Sequence, residues 1–283
     1  LHSVSGFASY GRRQVSTKNN PNTTGSMSST SSTAPTNSAA APLELAGRSL
    51  SIVNVYQSLL GIYGDRGNAM VLAERARRRG AEVTEHVAEP GAPVPDDADI
   101  YVLGGGEDGA QTAAVRALAA DGVLSRAVER GAVVFGVCAG YQILGETFTV
   151  GHDNDEREGL GLLNAHTVRR DPRAVGEIVT RRRGVSGNDA LITGFENHGG
   201  QTRLSAGTEP LADVIEGIGN GDGTEGAVKG TVYGTYPHGP VLARNPALAD
   251  ELITVATGVE LTPLLIPSIV TLRAERLEGH LGR

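Results

Sequence analysis

One cysteine serves the whole chain, and its neighbours suit a nucleophile. Cys138 lies in Gly136-Val137-Cys138-Ala139-Gly140-Tyr141-Gln142, at the end of the apolar run 132–137 and before a helix-compatible stretch. Gly-x-Cys-x-Gly at such a junction is the pattern of a nucleophile elbow, with sulfur where a serine oxygen would stand. Small flanking residues are needed because the turn is tight and strained. The helix N-terminus behind it favours a thiolate, which lowers a cysteine pKa from ~8.5 towards roughly 3.5–7.5. The competing reading is a buried cysteine acting as a small hydrophobe. Flanking glycines at a strand-to-helix junction favour the nucleophile.

A thiol nucleophile needs a base, and there are seven histidines to choose from. His2 and His280 lie near the termini, and His86, His152 and His166 sit in strand or loop positions without further chemical cues. His238 ends a strand-like run in Tyr233-Gly234-Thr235-Tyr236-Pro237-His238-Gly239-Pro240, which would put an imidazole at a strand end. His198, in Gly194-Phe195-Glu196-Asn197-His198, stays open as a second candidate. Gly104-Gly105-Gly106 closes another apolar run. Glycine there lets the backbone approach a substrate closely.

These residues need a scaffold that brings strand ends together. Strand-like runs at 50–56, 81–87, 100–103 and 132–137 alternate with helix-like stretches at 69–79, 111–130 and from 139 to about 148. That alternation predicts an α/β fold with a mostly parallel sheet flanked by helices. Sites in such sheets form at the carboxyl ends of the strands, where Cys138 and the triple glycine both fall. The later half predicts strands at 162–168, 176–181, 191–196 and 231–236 and a helix at 245–257. Segments 151–159 and 217–226 read as turn-rich loops. Their acids do not have the spacing of a calcium loop.

Residues 1–43 contain no Asp or Glu, are rich in Ser, Thr, Asn, Ala and Pro, and lack apolar periodicity; they are expected to be a disordered tail. The first methionine is Met27, which we take as the natural start, to be tested by N-terminal sequencing of the native protein. Residues 44–258 are expected to form the domain, and 259–283 an extension with a short helix. A single cysteine forms no intrachain disulfide and suits a reducing, cytoplasmic setting. The net charge of −7 argues against non-specific nucleic-acid binding. No run approaches the ~18 apolar residues of a membrane span. There is no HExxH, no cysteine cluster and no P-loop, so no metal and no cofactor is expected.

The chain resembles the cobyric-acid-synthase-type branch of class I glutamine amidotransferases, whose fold is flavodoxin-like. The likeness runs from about residue 49 to 248. It is carried by Tyr63-Gly64-Asp65-Arg66-Gly67-Asn68, Gly104-Gly105-Gly106-Glu107-Asp108, the cysteine elbow, Gly194-Phe195-Glu196-Asn197-His198 and the Tyr233–Pro240 run. The resemblance implies that Cys138 and His238 are catalytic. The fuller family pattern has a glutamate two residues after the histidine, where this chain has Pro240. It suggests Asp65 as the replacement carboxylate, against the plainer role of helix cap. It also implies a functional arginine about 35 residues after the cysteine, for which we take Arg173, with Arg169 and Arg170 as near competitors. L-Glutamine would be the substrate. Gly105 and Ala139 would offer N–H groups to an oxyanion, Arg173 would hold the α-carboxylate, and Tyr141 and Gln142 would line the pocket.

Within that branch the pattern is similar to glutaminase subunits that supply ammonia to a MurT-like, ATP-dependent Mur-ligase-family subunit. The expected assembly is a heterodimer that reaches lipid II through the partner and amidates the D-glutamate of its stem peptide in peptidoglycan synthesis. The alternatives are an amidotransferase for cobalamin-type amidation, a free-standing γ-glutamyl hydrolase, and a non-catalytic binding subunit.

Overall fold

In a computed structural model, residues 43–151 and 153–281 are described. The expectations for the tail (Leu43 apart), for Met27 and for His152 lie outside the described residues.

The chain runs through β1 (Ser49–Val55), a single turn α1 (Gln57–Leu60), α2 (Arg66–Arg78), β2 (Glu82–Ala88) and β3 (Ile100–Leu103). Helices α3 (Asp108–Asp121) and α4 (Val123–Glu129) lead to β4 (Val133–Val137), and α5 (Ala139–Leu144) follows the cysteine directly. Then come β5 (Thr147–Val150), β6 (Asp155–Glu158), β7 (Ala165–Arg182), β8 (Leu191–Leu204), β9 (Ala212–Glu216), β10 (Thr224–Glu225), β11 (Ala227–Lys229) and β12 (Val232–Thr235). Three helices close the chain: α6 (Val241–Arg244), α7 (Pro246–Thr257) and α8 (Pro267–Leu281).

The first sheet has the order β11-β12-β4-β3-β1-β2 and is parallel except for the β11–β12 pair. Its middle strands β3 and β4 carry no polar side chain but the Tyr101 hydroxyl, because both faces are covered. On β3, Ile100 and Val102 join Leu72, Val133, Phe135 and Leu252 on one side, while Tyr101 and Leu103 join Val53, Val115, Leu118 and Val134 on the other. Each such aliphatic side chain contributes about 1.5–3 kcal/mol by leaving water. Sequence and structure agree here: an α/β fold with a mostly parallel sheet flanked by helices.

The second sheet, β10-β9-β7-β5-β6 with β8 on the other edge of β7, is mainly antiparallel. Here several boundaries move. The predicted strands 162–168 and 176–181 are one long strand, β7, interrupted by a bulge between Arg169 and Ala174. Pro172 sits in that bulge, where a missing N–H does no harm. The helix after Cys138 ends at Leu144 rather than near 148, and the predicted loops contain β6 and β10. After α7, segment 259–266 crosses α2: Arg79 donates to the Thr262 carbonyl (2.9 Å) and Arg75 to that of Leu264 (3.3 Å). The terminal helix is 15 residues long and not short, and its Arg273 donates to the Arg244 carbonyl (2.8 Å) and Asn245 Oδ1 (3.0 Å). Among the described residues no helix is long and apolar enough to cross a membrane.

Candidate active site

Strand β4 ends at Val137, and the chain turns at Cys138 with φ 54° and ψ −108° before α5 begins. A non-glycine residue at positive φ is strained by about 1–3 kcal/mol, and such strain collects at functional sites. The flanking glycines make the turn possible. A Cβ on Gly136 would lie 2.7 Å from the Gly140 carbonyl carbon, and one on Gly140 would lie 2.6 Å from the Leu103 oxygen. Two backbone bonds brace the elbow: Cys138 N–H donates to the Thr235 carbonyl on β12 (2.8 Å), and Gly140 N–H to the Gly104 carbonyl (3.0 Å).

Adjacent parallel strands β4 and β12 bring Cys138 and His238 together. His238 Nδ1 lies 3.1 Å and 3.2 Å from the two carboxylate oxygens of Asp65, and both side chains are buried. Burial alone would lower the imidazole pKa. The Asp65 hydrogen bond and the interaction with Cys138 outweigh it and raise the value to about 10. His238 Nε2 is buried, and Cys138 lies close enough to the ring to help raise its pKa. The ring of Tyr63 packs on His238 at a centroid distance of 4.7 Å.

Asp65 stands at the N-cap position of α2 but makes no capping bond. Its Oδ2 accepts the Gly105 N–H at 2.8 Å. The carboxylate therefore faces the site and leaves the helix end alone. The same bond engages the Gly105 amide, which was expected to face an oxyanion. The Ala139 N–H opens α5 and so has no acceptor within that helix.

Arg173, Arg169, Arg170 and Gln142 line one cleft of about 120 Å³. Arg170 Nε turns to the Pro172 carbonyl and Arg169 Nη1 to that of Gly151. Arg173 is held by Asn197, whose Oδ1 and carbonyl accept from Nε (2.7 Å) and Nη2 (2.9 Å). It is the arginine whose charge acts on Tyr63, whose pKa burial and then Glu107 raise. Gln142 accepts from Gln111 Nε2 at 2.8 Å and donates to the Tyr236 hydroxyl at 3.4 Å.

Two expected positions differ. Tyr141 does not line the cleft: it is 1% exposed, and its hydroxyl donates to Asn220 Oδ1 at 3.2 Å. His198 is buried and stacked on Tyr236 at 3.6 Å, with its ring nitrogens engaged by the Gly200 carbonyl and Glu196. Burial lowers its pKa despite Glu196. Sequence reasoning gave no role to Tyr63, Asn197 or Glu225. The first two lie inside quoted motifs, which was the available signal; Glu225 lies in a presumed loop and gave none.

A thiol, an imidazole and a carboxylate thus meet at the carboxyl edge of the parallel sheet of an α/β fold. Residues 51–246 match the CobB/CobQ-like glutamine amidotransferase domain, and the chain belongs to that family. It is thus an enzyme of the glutamine amidotransferase class. It is 34% identical to the lipid II isoglutaminyl synthase (glutamine-hydrolyzing) subunit GatD of Staphylococcus aureus (strain N315), over 81% of this chain and 94% of that one. The GatD subunit of Streptococcus pneumoniae (strain ATCC BAA-255 / R6) is also 34% identical, over 73% and 80%. Cobyric acid synthase of Methylobacterium nodulans is 34% identical over 69% of this chain but only 40% of its own length. A crystal structure of a glutamine amidotransferase shares the fold, with a TM-score of 0.50 and 22% identity over 72% of this chain and 98% of that one.

Proposed function

We propose that the chain hydrolyses L-glutamine to glutamate and ammonia as the glutaminase subunit of a heterodimer. The observation that carries this reading is the Asp65–His238 pair, 3.1 Å apart, buried beside the strained Cys138 elbow. The raised imidazole pKa favours an imidazolium, the form that can give a proton to a leaving amine. The Cys138 thiolate attacks the side-chain amide carbon, and the C=O electrons move onto oxygen. Ala139 N–H receives that charge; one such donor is typically worth about 10²–10³ in rate. As the oxyanion collapses, the C–N bond breaks and His238 gives its proton to the departing nitrogen, releasing ammonia and leaving a thioester. Neutral His238 then takes a proton from water, whose oxygen attacks the thioester carbon. The C–S bond breaks, glutamate leaves, and thiolate and imidazolium are restored. Arg173 binds the α-carboxylate of glutamine, with Gln142 beside it.

The ammonia passes to a MurT-like Mur-ligase-family subunit that uses ATP to activate the D-glutamate α-carboxyl of the lipid II stem peptide. Support for this acceptor is the similarity to the two GatD subunits over most of both chains. The cobyric acid synthases match over less than half of their own length.

Ammonia release from glutamine, by wild type and Cys138→Ala, alone and co-expressed with the Mur-ligase-like protein, tests the reading. Mass spectrometry of lipid II from the same mixtures reads the acceptor. We expect release to vanish in the mutant, and amidated lipid II to require both subunits and glutamine. Wild type that stays inactive with its partner would overturn the glutaminase assignment and leave a binding subunit. Release without lipid II amidation would overturn the acceptor alone.

A further inference from the structure

Beneath the elbow lies a carboxyl group that the mechanism does not use. Glu225, on β10, is fully buried. Its Oε1 accepts two bonds from consecutive residues at the end of β12: Thr235 Oγ1 at 3.0 Å and Tyr236 N–H at 2.8 Å. Its Oε2 is buried without a partner. Thr235 is the residue whose carbonyl accepts the Cys138 N–H at 2.8 Å. Tyr236 is followed by Pro237 and His238, and His238 is then fixed by two backbone bonds with Phe195 (2.9 Å and 3.2 Å). Nucleophile and base therefore both hang from the short stretch that Glu225 holds.

Burying a carboxyl beside apolar strands is costly unless its bonds compensate. Serine, asparagine or an apolar residue would cost less if only packing were needed here. The surroundings are not those of an ion pair. Glu196 on β8 acts on Glu225 with like charge, and Tyr141 on α5 feels the charge of Glu225, with Asp222 and Tyr236 also acting on that tyrosine. Burial, against the two hydrogen bonds, raises the Glu225 carboxyl from 4.5 to about 7, with Glu196 adding to the rise.

We propose that Glu225 is a positioning residue for the amidotransferase reaction: by gripping Thr235 and Tyr236 it sets the spacing between the Cys138 elbow and His238. The proposal rests on the reading of Cys138 and His238 as nucleophile and proton carrier. As pH falls through about 7 the carboxylate takes up a proton and becomes a weaker acceptor. The grip on Thr235–Tyr236 loosens on the acid side.

The test is glutaminase kcat and KM across the neutral pH range for wild type, Cys138→Ala, Glu225→Ala, Glu225→Gln and Thr235→Val, each in complex with the partner subunit. Displacing a reacting group by about 1 Å costs on the order of 10²-fold, so Glu225→Ala is expected to lose roughly 10- to 100-fold in kcat with KM within about 3-fold. Glu225→Gln keeps an acceptor oxygen but not the charge, so its kcat should fall between those of wild type and Glu225→Ala, without the acid limb that wild type shows near neutrality. Should the alanine variant not fold, Thr235→Val removes one of the two bonds at constant volume and is expected to lower kcat by about 3- to 10-fold at unchanged KM. An inactive Cys138→Ala alongside wild-type kcat in Glu225→Ala, or in Thr235→Val if the former does not fold, overturns this proposal alone. So does a wild-type acid limb retained in Glu225→Gln. Activity retained in Cys138→Ala overturns the nucleophile reading beneath it.

Discussion

Replacing Asp65 by asparagine removes one charge and almost no volume, and its consequences follow from the His238 environment. A histidine raised from 6.5 to about 10 prefers its protonated form by about 5 kcal/mol at the site, net of burial. Asp65 is the first of the favourable partners and Cys138 the second. A hydrogen bond to a charged group is worth about 1.5–3 kcal/mol, so Asp65→Asn should lower the His238 pKa and, if the bond is made in the transition state, lower kcat by roughly 10- to 100-fold. The asparagine oxygen can still accept the Gly105 N–H, which holds the loop in place.

Stability carries a second signature with a definite sign. The folded pKa of His238 lies above its unfolded value, so the pair stabilises fully below about 6.5. That contribution is lost as pH rises through about 10. Wild type should exceed Asp65→Asn in unfolding free energy by about 1.5–3 kcal/mol near pH 6, and the gap should close towards pH 10. The assay is a carbon-13 titration of the His238 Cε1 resonance, run beside ammonia release and denaturant melts at the two pH values. An unchanged His238 titration in Asp65→Asn, or wild-type kcat, would refute the reasoning.

Two further substitutions probe the walls of the site. A Cβ on Gly105 would lie 2.8 Å from His238 Cε1 and 2.9 Å from a Tyr63 ring carbon. Gly105→Ala is therefore expected to lower kcat by about 10- to 100-fold while shifting the melting temperature little, read by kinetics and thermal melts together. Arg173→Ala should raise the KM for glutamine by about 10-fold or more with a smaller change in kcat, and Arg173→Lys should not restore it, because Asn197 fixes the planar guanidinium at two points. Steady-state kinetics with glutamine decides between that outcome and a purely structural role.

The first half of the chain was legible because β1, β3 and β4 are largely buried on both faces, the edge strand β2 being the exposed exception. Such strands print as short apolar runs, and the helices between them print apolar residues at helical spacing, as Ala69, Leu72, Ala73 and Ala76 do on α2. In the second half the signals weaken for identifiable reasons. Strand β6 is Asp155-Glu156-Arg157-Glu158, largely exposed and wholly charged, so nothing apolar marks it. Pro172 and the bulge split β7 into two apparent strands. Tyr141 was misplaced by its nearness in sequence to Cys138. On α5 it points instead at β12, where Gly234 leaves room: a Cβ there would meet the Tyr141 ring at 2.0 Å. Glu225 gave no signal because two residues of strand among turn glycines have no period to read.

Pro240, where the wider family pattern has a carboxylate, becomes intelligible once the loop before α2 is considered with it. A Cβ on Gly67 would lie 2.1 Å from Pro240 Cγ, so the turn after His238 sits directly against the start of α2. The next residue, Asn68, accepts the Leu242 N–H through its Oδ1 at 3.0 Å. Asp65 reaches His238 Nδ1 from the same segment, and Tyr63 covers the imidazole face. Tyr63-Gly64-Asp65-Arg66-Gly67-Asn68 thus acts as one docking strip for the histidine loop, with polar contacts at Asp65 and Asn68 and an apolar one at Gly67. A carboxylate that orients an imidazole need only lie within hydrogen-bond reach of Nδ1; which side of the contact supplies it is immaterial to the chemistry. With proline on the histidine side, the acid must come from the α2 side. Its position then depends on how the two segments pack, so disturbing Gly67 or Asn68 should act on His238 without touching it.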